Sequence, residues 1–296
     1  MVYEDAPMPA LGSGDVLIKV RAAGITPTEL TWGSTFTDSD RKSRLPSIPA
    51  FEVSGTVEKM APGAAGFSQG DGVYALLNFW RDGAAAEYVA APAAEMAQKP
   101  KSLDFVQSAV VPLSGLTAWQ ALFDHAKLSG GDSVLIHGAA GGVGTYAVQL
   151  AKWKGLHVIA TCSKQNADLA SELGADEVID YTKTRFDDVV KDVDAILDTV
   201  GGETLERSWK VLRRGGTLVT IVDDVQADKA AGLGVNGISM LVRPSQTELN
   251  ELARLIDGGE LRPIISGVFP LSRAKEAYQR ALAGHNRGKF AMTVGA

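Results

Sequence analysis

Cysteine is almost missing from this chain: Cys162 is the one thiol in 296 residues. No intrachain disulfide can form, which fits a reducing compartment, and no multi-cysteine zinc site can be built. Long apolar runs are missing as well. No stretch of about 18 apolar residues occurs, so no membrane-spanning helix is expected. The opening residues, MVYEDAPMPA, lack a basic segment followed by an apolar core. No secretory signal is expected there, and the protein reads as cytoplasmic. Basic runs are absent, and 29 Lys and Arg against 35 Asp and Glu give a net charge of −6. That balance argues against nucleic acid or an anionic membrane as the main partner. The four histidines, His125, His137, His157 and His285, are scattered. No G-x-x-x-x-G-K-[ST] occurs, which excludes a P-loop.

At about 100–200 residues per domain, the length suggests two domains. The first hundred residues read as β-rich. "DVLIKVRAAGI", "AFEVSGTVEKM", "GVYALL" and "AAAEYVAA" are strand patterns separated by glycine- and proline-containing turns. Near Leu103 the texture changes to helical spacing, and strand–helix units then alternate. "SVLIHG" leads into "GVGTYAVQLAKWKG", "HVIATCS" into "NADLASELGA", "EVIDY" into "RFDDVVKD", and "AILDTVG" into "TLERSWKVL", with "TLVTIV" closing the series. Alternation at this spacing predicts a parallel sheet covered on both faces. "QTELNELARLIDGG" predicts one more helix. "SRAKEAYQRALAG" and "KFAMTV" predict a helix and a strand that return to the first domain.

The most informative stretch is "VLIHGAAGGVGTYAVQLAK", Val134 to Lys152. An apolar strand breaks into glycines, and a helix opens near Gly142. Ala139, Gly141 and Gly144 stand at the positions of a G-x-G-x-x-G fingerprint, with alanine for the first glycine. Gly141 lets backbone approach a pyrophosphate, Gly144 lets helix and strand pack closely, and the helix N-terminus favours phosphate. A strand before and a helix after supply the confirming context. The segment Ala140, Gly141, Gly142, Val143 and Gly144 is therefore expected to bind a dinucleotide. NAD-binding units place an acid at the end of the next strand to hold the ribose 2′-OH. Here Ser163 and Lys164 stand there instead. A hydroxyl and an ammonium suit a 2′-phosphate, so NADPH is expected over NADH.

Together, "AAGITPTEL", "IPAFEVSGTV", "FSQGDGVYAL", "GLTAWQAL", "GAAGGVGTYAVQLAK", "LGADEVIDY" and "RGKFAMTV" resemble the medium-chain dehydrogenase/reductase superfamily in order and spacing. The resemblance runs nearly end to end and implies an α/β fold: a Rossmann dinucleotide-binding domain plus a GroES-like β-rich catalytic domain. The expected division is 1–110 for the GroES-like domain, 111–261 for the Rossmann domain, and 262–296 for the return. A short-chain dehydrogenase is not indicated, because no tyrosine is followed four residues later by lysine.

The sequence departs from that family's zinc-dependent members where they carry metal ligands. Thr26, Phe51 and roughly Leu113 or Ser114 stand at those positions, and none is a usual zinc ligand. No metal is expected. Glu52, beside the lost histidine, is expected to hydrogen-bond nearby backbone. The chain looks most like the zinc-free quinone oxidoreductase branch that includes the reticulon-interacting mitochondrial oxidoreductase. That resemblance implies cofactor contacts at Thr117, Ser163, Lys164, Tyr181, Val200, Gly201, Ile221, His285, Asn286 and Arg287. Without a metal the acceptor must be electrophilic by itself, as in a quinone or an α,β-unsaturated carbonyl. Thr26 and Thr28, in the block that carries ligands and proton relays in zinc relatives, are the candidate catalytic donors to the developing oxyanion.

Some features stay open at this level. Trp32, Phe36, Phe79 and Trp80 either wall a pocket for a planar substrate or form a satellite core. Asp223 and Asp224 are solvated at a loop start or disfavour anionic substrates. An enoyl-thioester reductase and an NADPH-responsive regulatory protein are the alternative functions, the second because a Rossmann site alone establishes binding. "GISMLVRP" reads as an exposed edge strand, so a homodimer is expected.

Overall fold

The computed structural model describes residues 1–284 and 286–295. Along the chain run β1 (Asp15–Ile25), α1 (Gly33–Phe36), β2 (Glu52–Met60), β3 (Gly72–Leu76), β4 (Tyr88–Pro92), β5 (Met96–Gln98), α2 (Phe105–Ala109) and α3 (Pro112–Trp119). Next come β6 (Ser133–His137), α4 (Gly142–Trp153), β7 (His157–Cys162), α5 (Ala167–Glu172), β8 (Glu177–Asp180) and α6 (Phe186–Val189). They are followed by β9 (Val193–Asp198), α7 (Glu203–Ser208), β10 (Leu212–Thr220), α8 (Ala227–Leu233) and β11 (Asn236–Ser239). The chain closes with α9 (Gln246–Gly258), β12 (Ile265–Pro270), α10 (Ala274–Leu282) and β13 (Lys289–Thr293). These elements form two compact units, residues 1–116 with 243–296, and residues 117–242.

The first unit is built on β1. Nine of its eleven residues are buried, the exceptions being Lys19 and Arg21, so the strand is central. Its flanks carry β2 along most of its length, β4 against Asp15–Lys19 and β13 against Ala22–Ile25, all antiparallel. The sheet order is β12-β13-β1-β2-β3-β5, with β4 on β1. The return of "KFAMTV" to the first domain is thus a strand pairing, Gly24 with Ala291 and Ile25 with Phe290.

The boundaries differ from those expected. Residues 111–116 and 243–261 belong with the β-rich unit, because α9 docks there through specific contacts. The Tyr74 hydroxyl donates to Leu249 O at 2.5 Å, and Gln246 Nε2 donates to Met96 O at 2.7 Å. Leu252 packs against Gly115, where an added Cβ would meet it at 3.0 Å. Four elements are not anticipated by the sequence reading: α1, β5, α8 and β12. The expected strand "GISMLVRP" is shorter than its apolar run, since β11 ends at Ser239.

The second unit is an all-parallel sheet in the order β11-β10-β9-β6-β7-β8. β6 is central and its Val134–His137 segment is buried. Leu135, Ile159, Ile196, Leu218 and Trp209 are among the residues that form the core. The chain winds outward from β6 through β7 to β8, then crosses back to β9 on the other side. That reversal is the topological switch point of the sheet, where open α/β sheets bind ligands.

Candidate functional site

In the second unit the predicted cofactor residues gather at the carboxyl ends of the strands. β6 ends in a tight turn, where Gly138 has φ +68° and the Gly141 N–H donates to Gly138 O at 2.9 Å. Gly144 is the position with no room. An added Cβ would collide with the Gly138 carbonyl oxygen and lie 2.7 Å from Ala139 Cα. That close approach brings the start of α4 down onto the strand end. Gly141 caps the helix in an extended conformation. The N–H groups of the first turn, Gly142 to Gly144, have no partners within the helix, and the helix dipole adds positive potential. Ala140, Gly141, Gly142, Val143 and Gly144 therefore form a cradle suited to a pyrophosphate.

Neighbouring strand ends carry the other expected contacts. Cys162 of β7 pairs with Asp180 of β8. Ser163 and Lys164 follow the first of these and Tyr181 follows the second, so the three share one corner. Tyr181 is exposed, and its N–H donates to Cys162 O at 3.3 Å. Asn166 Nδ2 donates to Ser163 Oγ at 3.3 Å. Asp198 of β9 pairs with Thr220 of β10, which places Val200 and Gly201 beside Ile221. The buried Asp198 carboxylate fixes that corner. It accepts the N–H groups of Val200 and Gly201 at 3.1 and 3.0 Å and the Thr220 hydroxyl at 3.0 Å. Thr199 Oγ1 donates to His137 O at 2.8 Å and ties the β9 loop to the end of β6. Asp223, undecided from sequence, accepts the Gly202 N–H at 2.6 Å.

Three predicted contacts sit elsewhere. Thr117 is buried on α3 rather than at a strand end. Asn286 and Arg287 belong to the first unit, where Asn286 Nδ2 donates to Ala281 O at 2.6 Å and Arg287 O accepts the Ser266 hydroxyl at 2.5 Å. His285 lies outside the described residues.

Within the first unit, Thr26 ends up in a buried polar network that sequence reasoning did not assemble. Thr26 follows β1 and precedes a 3₁₀ turn, Pro27–Thr31. Its Oγ1 accepts a hydrogen bond from Lys289 Nζ at 3.0 Å. Lys289, only 5% exposed at the start of β13, is also ion-paired with Glu52 Oε1 at 2.5 Å. The other Glu52 oxygen accepts the Leu113 N–H at the start of α3, at 2.9 Å. The expected backbone hydrogen bond of Glu52 is present, and a lysine is added to it.

Glu29 is fully buried nearby. Its carboxylate accepts the Tyr278 hydroxyl, the Thr26 N–H at 3.4 Å and the Phe51 N–H at 3.4 Å. Burial pushes its pKa from 4.5 to about 7. The Tyr278 hydrogen bond and the Lys289 charge oppose that rise, and the Glu52 charge adds to it. Tyr278 is itself held well above its usual range by burial and by Glu29. Thr28 is exposed and joins none of these bonds. The only cues to Lys289, Tyr278 and Glu29 were charged or hydroxyl groups inside otherwise apolar patterns, which read as surface positions.

The aromatic question resolves by packing. Phe51 and Phe79 are buried, and Trp32 stacks on Phe51 at 6.1 Å and meets Phe79 edge-on at 5.2 Å. They form a local core, whereas Phe36 and Trp80 are exposed.

Known proteins bear on this geometry. Residues 12–101 match the family model described as "Alcohol dehydrogenase GroES-like domain", and residues 173–291 match "Zinc-binding dehydrogenase". The mouse (Mus musculus) mitochondrial NAD(P)H oxidoreductase RTN4IP1 is 34% identical, over 95% of this chain and 82% of its own. The chain belongs to the medium-chain dehydrogenase/reductase family. It is similar to the chloroplastic NADPH-dependent alkenal/one oxidoreductase of Arabidopsis thaliana, at 33% identity over 95% of this chain and 72% of that protein. The solved structure of the quinone oxidoreductase from Coxiella burnetii superposes with a TM-score of 0.90 at 35% identity, covering 99% of this chain and 94% of that one. This family member is an α/β oxidoreductase with a GroES-like domain and a Rossmann-like sheet, and it uses a nicotinamide cofactor. The cradle closed by Gly144 fits that cofactor's pyrophosphate.

Zinc, named in one matching model, does not fit. By the family resemblance Thr26, Phe51 and roughly Leu113 or Ser114 stand at the ligand positions, and among the described residues no three His, Cys, Asp or Glu side chains gather to hold a metal. Among the described residues, no helix is long and apolar enough to cross a membrane.

Proposed function

We propose that this oxidoreductase is a zinc-independent, NADPH-dependent reductase of quinones or α,β-unsaturated carbonyls. One observation carries the reading. Where a metal would polarise the acceptor's oxygen, the chain has a half-exposed threonine hydroxyl, Thr26, backed by a buried lysine. Such a site can stabilise an oxyanion but cannot strongly activate an isolated ketone, so the acceptor must be electrophilic on its own. The names of the alkenal/one and quinone oxidoreductase relatives agree with that class.

Bound reduced nicotinamide supplies hydride. The acceptor gains it at the β carbon or the quinone ring, negative charge moves to the acceptor's oxygen, and that oxygen then takes a proton from water. Thr26 donates a hydrogen bond to the oxygen as the charge develops. Ala140 to Gly144 receive the pyrophosphate, and Ser163, Lys164 and Tyr181 receive the adenosine phosphate. Val200, Gly201 and Ile221 border the nicotinamide, with Thr117, Asn286 and Arg287 as further contacts. A homodimer is part of this reading, supported by the edge position of β11 and the exposure of Leu241 just beyond it. So is a cytoplasmic location, which cell fractionation tests. A monomer in sedimentation at micromolar concentration would remove the dimer.

The deciding experiment follows NADPH and NADH oxidation against a benzoquinone, a naphthoquinone, an enone, an enal and a crotonyl thioester. Quinone or enone turnover with strong NADPH preference is expected. Lys164→Ala should lower that preference about tenfold, because one charge-assisted phosphate contact is lost. Preference for NADH would overturn the Ser163–Lys164 assignment. Tight NADPH binding without turnover would overturn the reductase reading in favour of a regulatory protein.

A further inference from the structure

We propose that Lys289 is a positioning residue that makes the Thr26 hydroxyl an obligatory hydrogen-bond donor to the acceptor's oxygen, an inference that rests on the reductase reading above. The argument starts from donor and acceptor inventory. A threonine hydroxyl has one hydrogen and two lone pairs and rotates to suit its surroundings. Threonine beside a turn usually turns that hydrogen onto a nearby carbonyl. An ammonium has donors only, so at the 3.0 Å contact from Lys289 Nζ the Thr26 oxygen can only accept. Its own hydrogen points elsewhere, and among the described residues Thr26 Oγ1 donates to no protein acceptor. Thr26 is half-exposed, whereas Lys289 is buried. The Thr26 hydrogen is thus held at the solvent-facing end of the network.

The lysine is fixed in turn. Glu52 holds the ammonium at 2.5 Å, and Glu52 is held by the Leu113 N–H at 2.9 Å. Glu52 sits at the start of β2 and Lys289 at the start of β13, both next to β1. Sheet register therefore sets the chain from Leu113 through Glu52 and Lys289 to Thr26. Accepting from a cation also polarises the hydroxyl and strengthens the bond it donates, which neutral backbone donors would do less well. The groups facing this chain are Glu29 from the 3₁₀ turn and Tyr278 from α10, which bond each other.

The test reads oxyanion recognition apart from turnover. 4-Nitrophenol serves as the probe, because its phenolate absorbs differently from the phenol. Its equilibrium binding is measured with and without NADP⁺ on the wild type, Thr26→Val, Lys289→Arg and the charge-neutral pair Lys289→Met with Glu52→Gln. The pair avoids a stranded buried carboxylate, and an unfolding transition checks each fold. Wild type should favour phenolate. Thr26→Val and the neutral pair should each lose about tenfold of that preference, and Lys289→Arg should stay within about threefold of wild type. Adding the neutral pair to Thr26→Val should cost nothing further, since both act through one hydroxyl. Quinone kcat/KM should follow the same pattern with KM for NADPH unchanged. A neutral pair that binds phenolate like wild type, or losses that add fully, would overturn the proposal. If no acceptor is reduced while the phenolate pattern holds, the reductase reading falls and the role of Lys289 stands.

Discussion

On the proposed reading, the two units hold negative charge with different materials. The parallel-sheet unit uses backbone: glycine geometry at Gly138 and Gly144, first-turn N–H groups, and loops pinned by Asp198 and Thr199. The β-rich unit uses side chains brought from distant parts of the chain, with Lys289, Glu52 and Thr26 in one bonded series. A backbone site tolerates almost any side chain that leaves the main chain alone, and fails when a Cβ intrudes. A side-chain site fails one group at a time, and each loss strands a buried partner.

The sharpest way to break the contrast is in the glycine turn. Gly144→Val should abolish nicotinamide binding, with affinity down more than about 100-fold, because no rotamer relieves a clash with main chain. Fluorescence titration with NADPH reads this, and the pH response of the β-rich unit should survive.

Lys289→Met alone should destabilise the β-rich unit by about 3–5 kcal/mol, since Glu52 is left as an uncompensated buried charge. Adding Glu52→Gln should restore most of it. Urea unfolding of the two variants checks both statements, and equal stability would mean the ion pair is dispensable.

The units should also respond to pH in opposite senses. Folded Glu29 keeps a proton up to about 7 that an unfolded chain releases near 4.5. Its contribution is greatest below 4.5 and is lost as pH rises through about 7, on the order of 3 kcal/mol. His137 is buried between Thr161 and Ser208 hydroxyls, and burial with the nearby Arg207 charge lowers its pKa from 6.5 to about 3. The native parallel-sheet unit refuses a proton that the unfolded chain accepts, so stability present above 6.5 is lost as pH falls towards 3. Glu29→Gln should flatten the decline on the alkaline side, and His137→Gln the decline on the acid side. Unfolding midpoints at about pH 5 and about pH 8 separate the two.

The smallest effect is expected at Thr28. It is exposed and bonded to nothing in the network, so Thr28→Ala should change turnover by less than about twofold. A tenfold loss would move the donor role from Thr26 to its neighbour.

The same contrast explains what the sequence reveals. "GAAGGVG" is legible because its meaning is local: strand, turn and helix are contiguous, and Gly141 and Gly144 answer to neighbours within six residues. Ser163 follows from its place at the end of the strand after the glycine turn, whereas Tyr181 and Val200 are implied only by the family resemblance. Thr26 could be suspected from its block, but Lys289 could not be joined to it. The pairing depends on β13 returning antiparallel to β1, and Lys289 opens an apolar strand where a lysine ordinarily points to water. Tyr278 and Glu29 are hidden for the same reason. α9 was assigned to the wrong unit because helical periodicity shows a buried face but not what that face is buried against.

That final strand has a bearing on when the protein can work. Thr26 and Lys289 are separated by 263 positions, so a ribosome has nearly finished before the second meets the first. A nascent chain can finish its nucleotide fold while the hydroxyl at the other centre still spins freely. Proteolytic clipping just ahead of β13 would have the same result: a protein that still captures its reductant yet leaves it unspent.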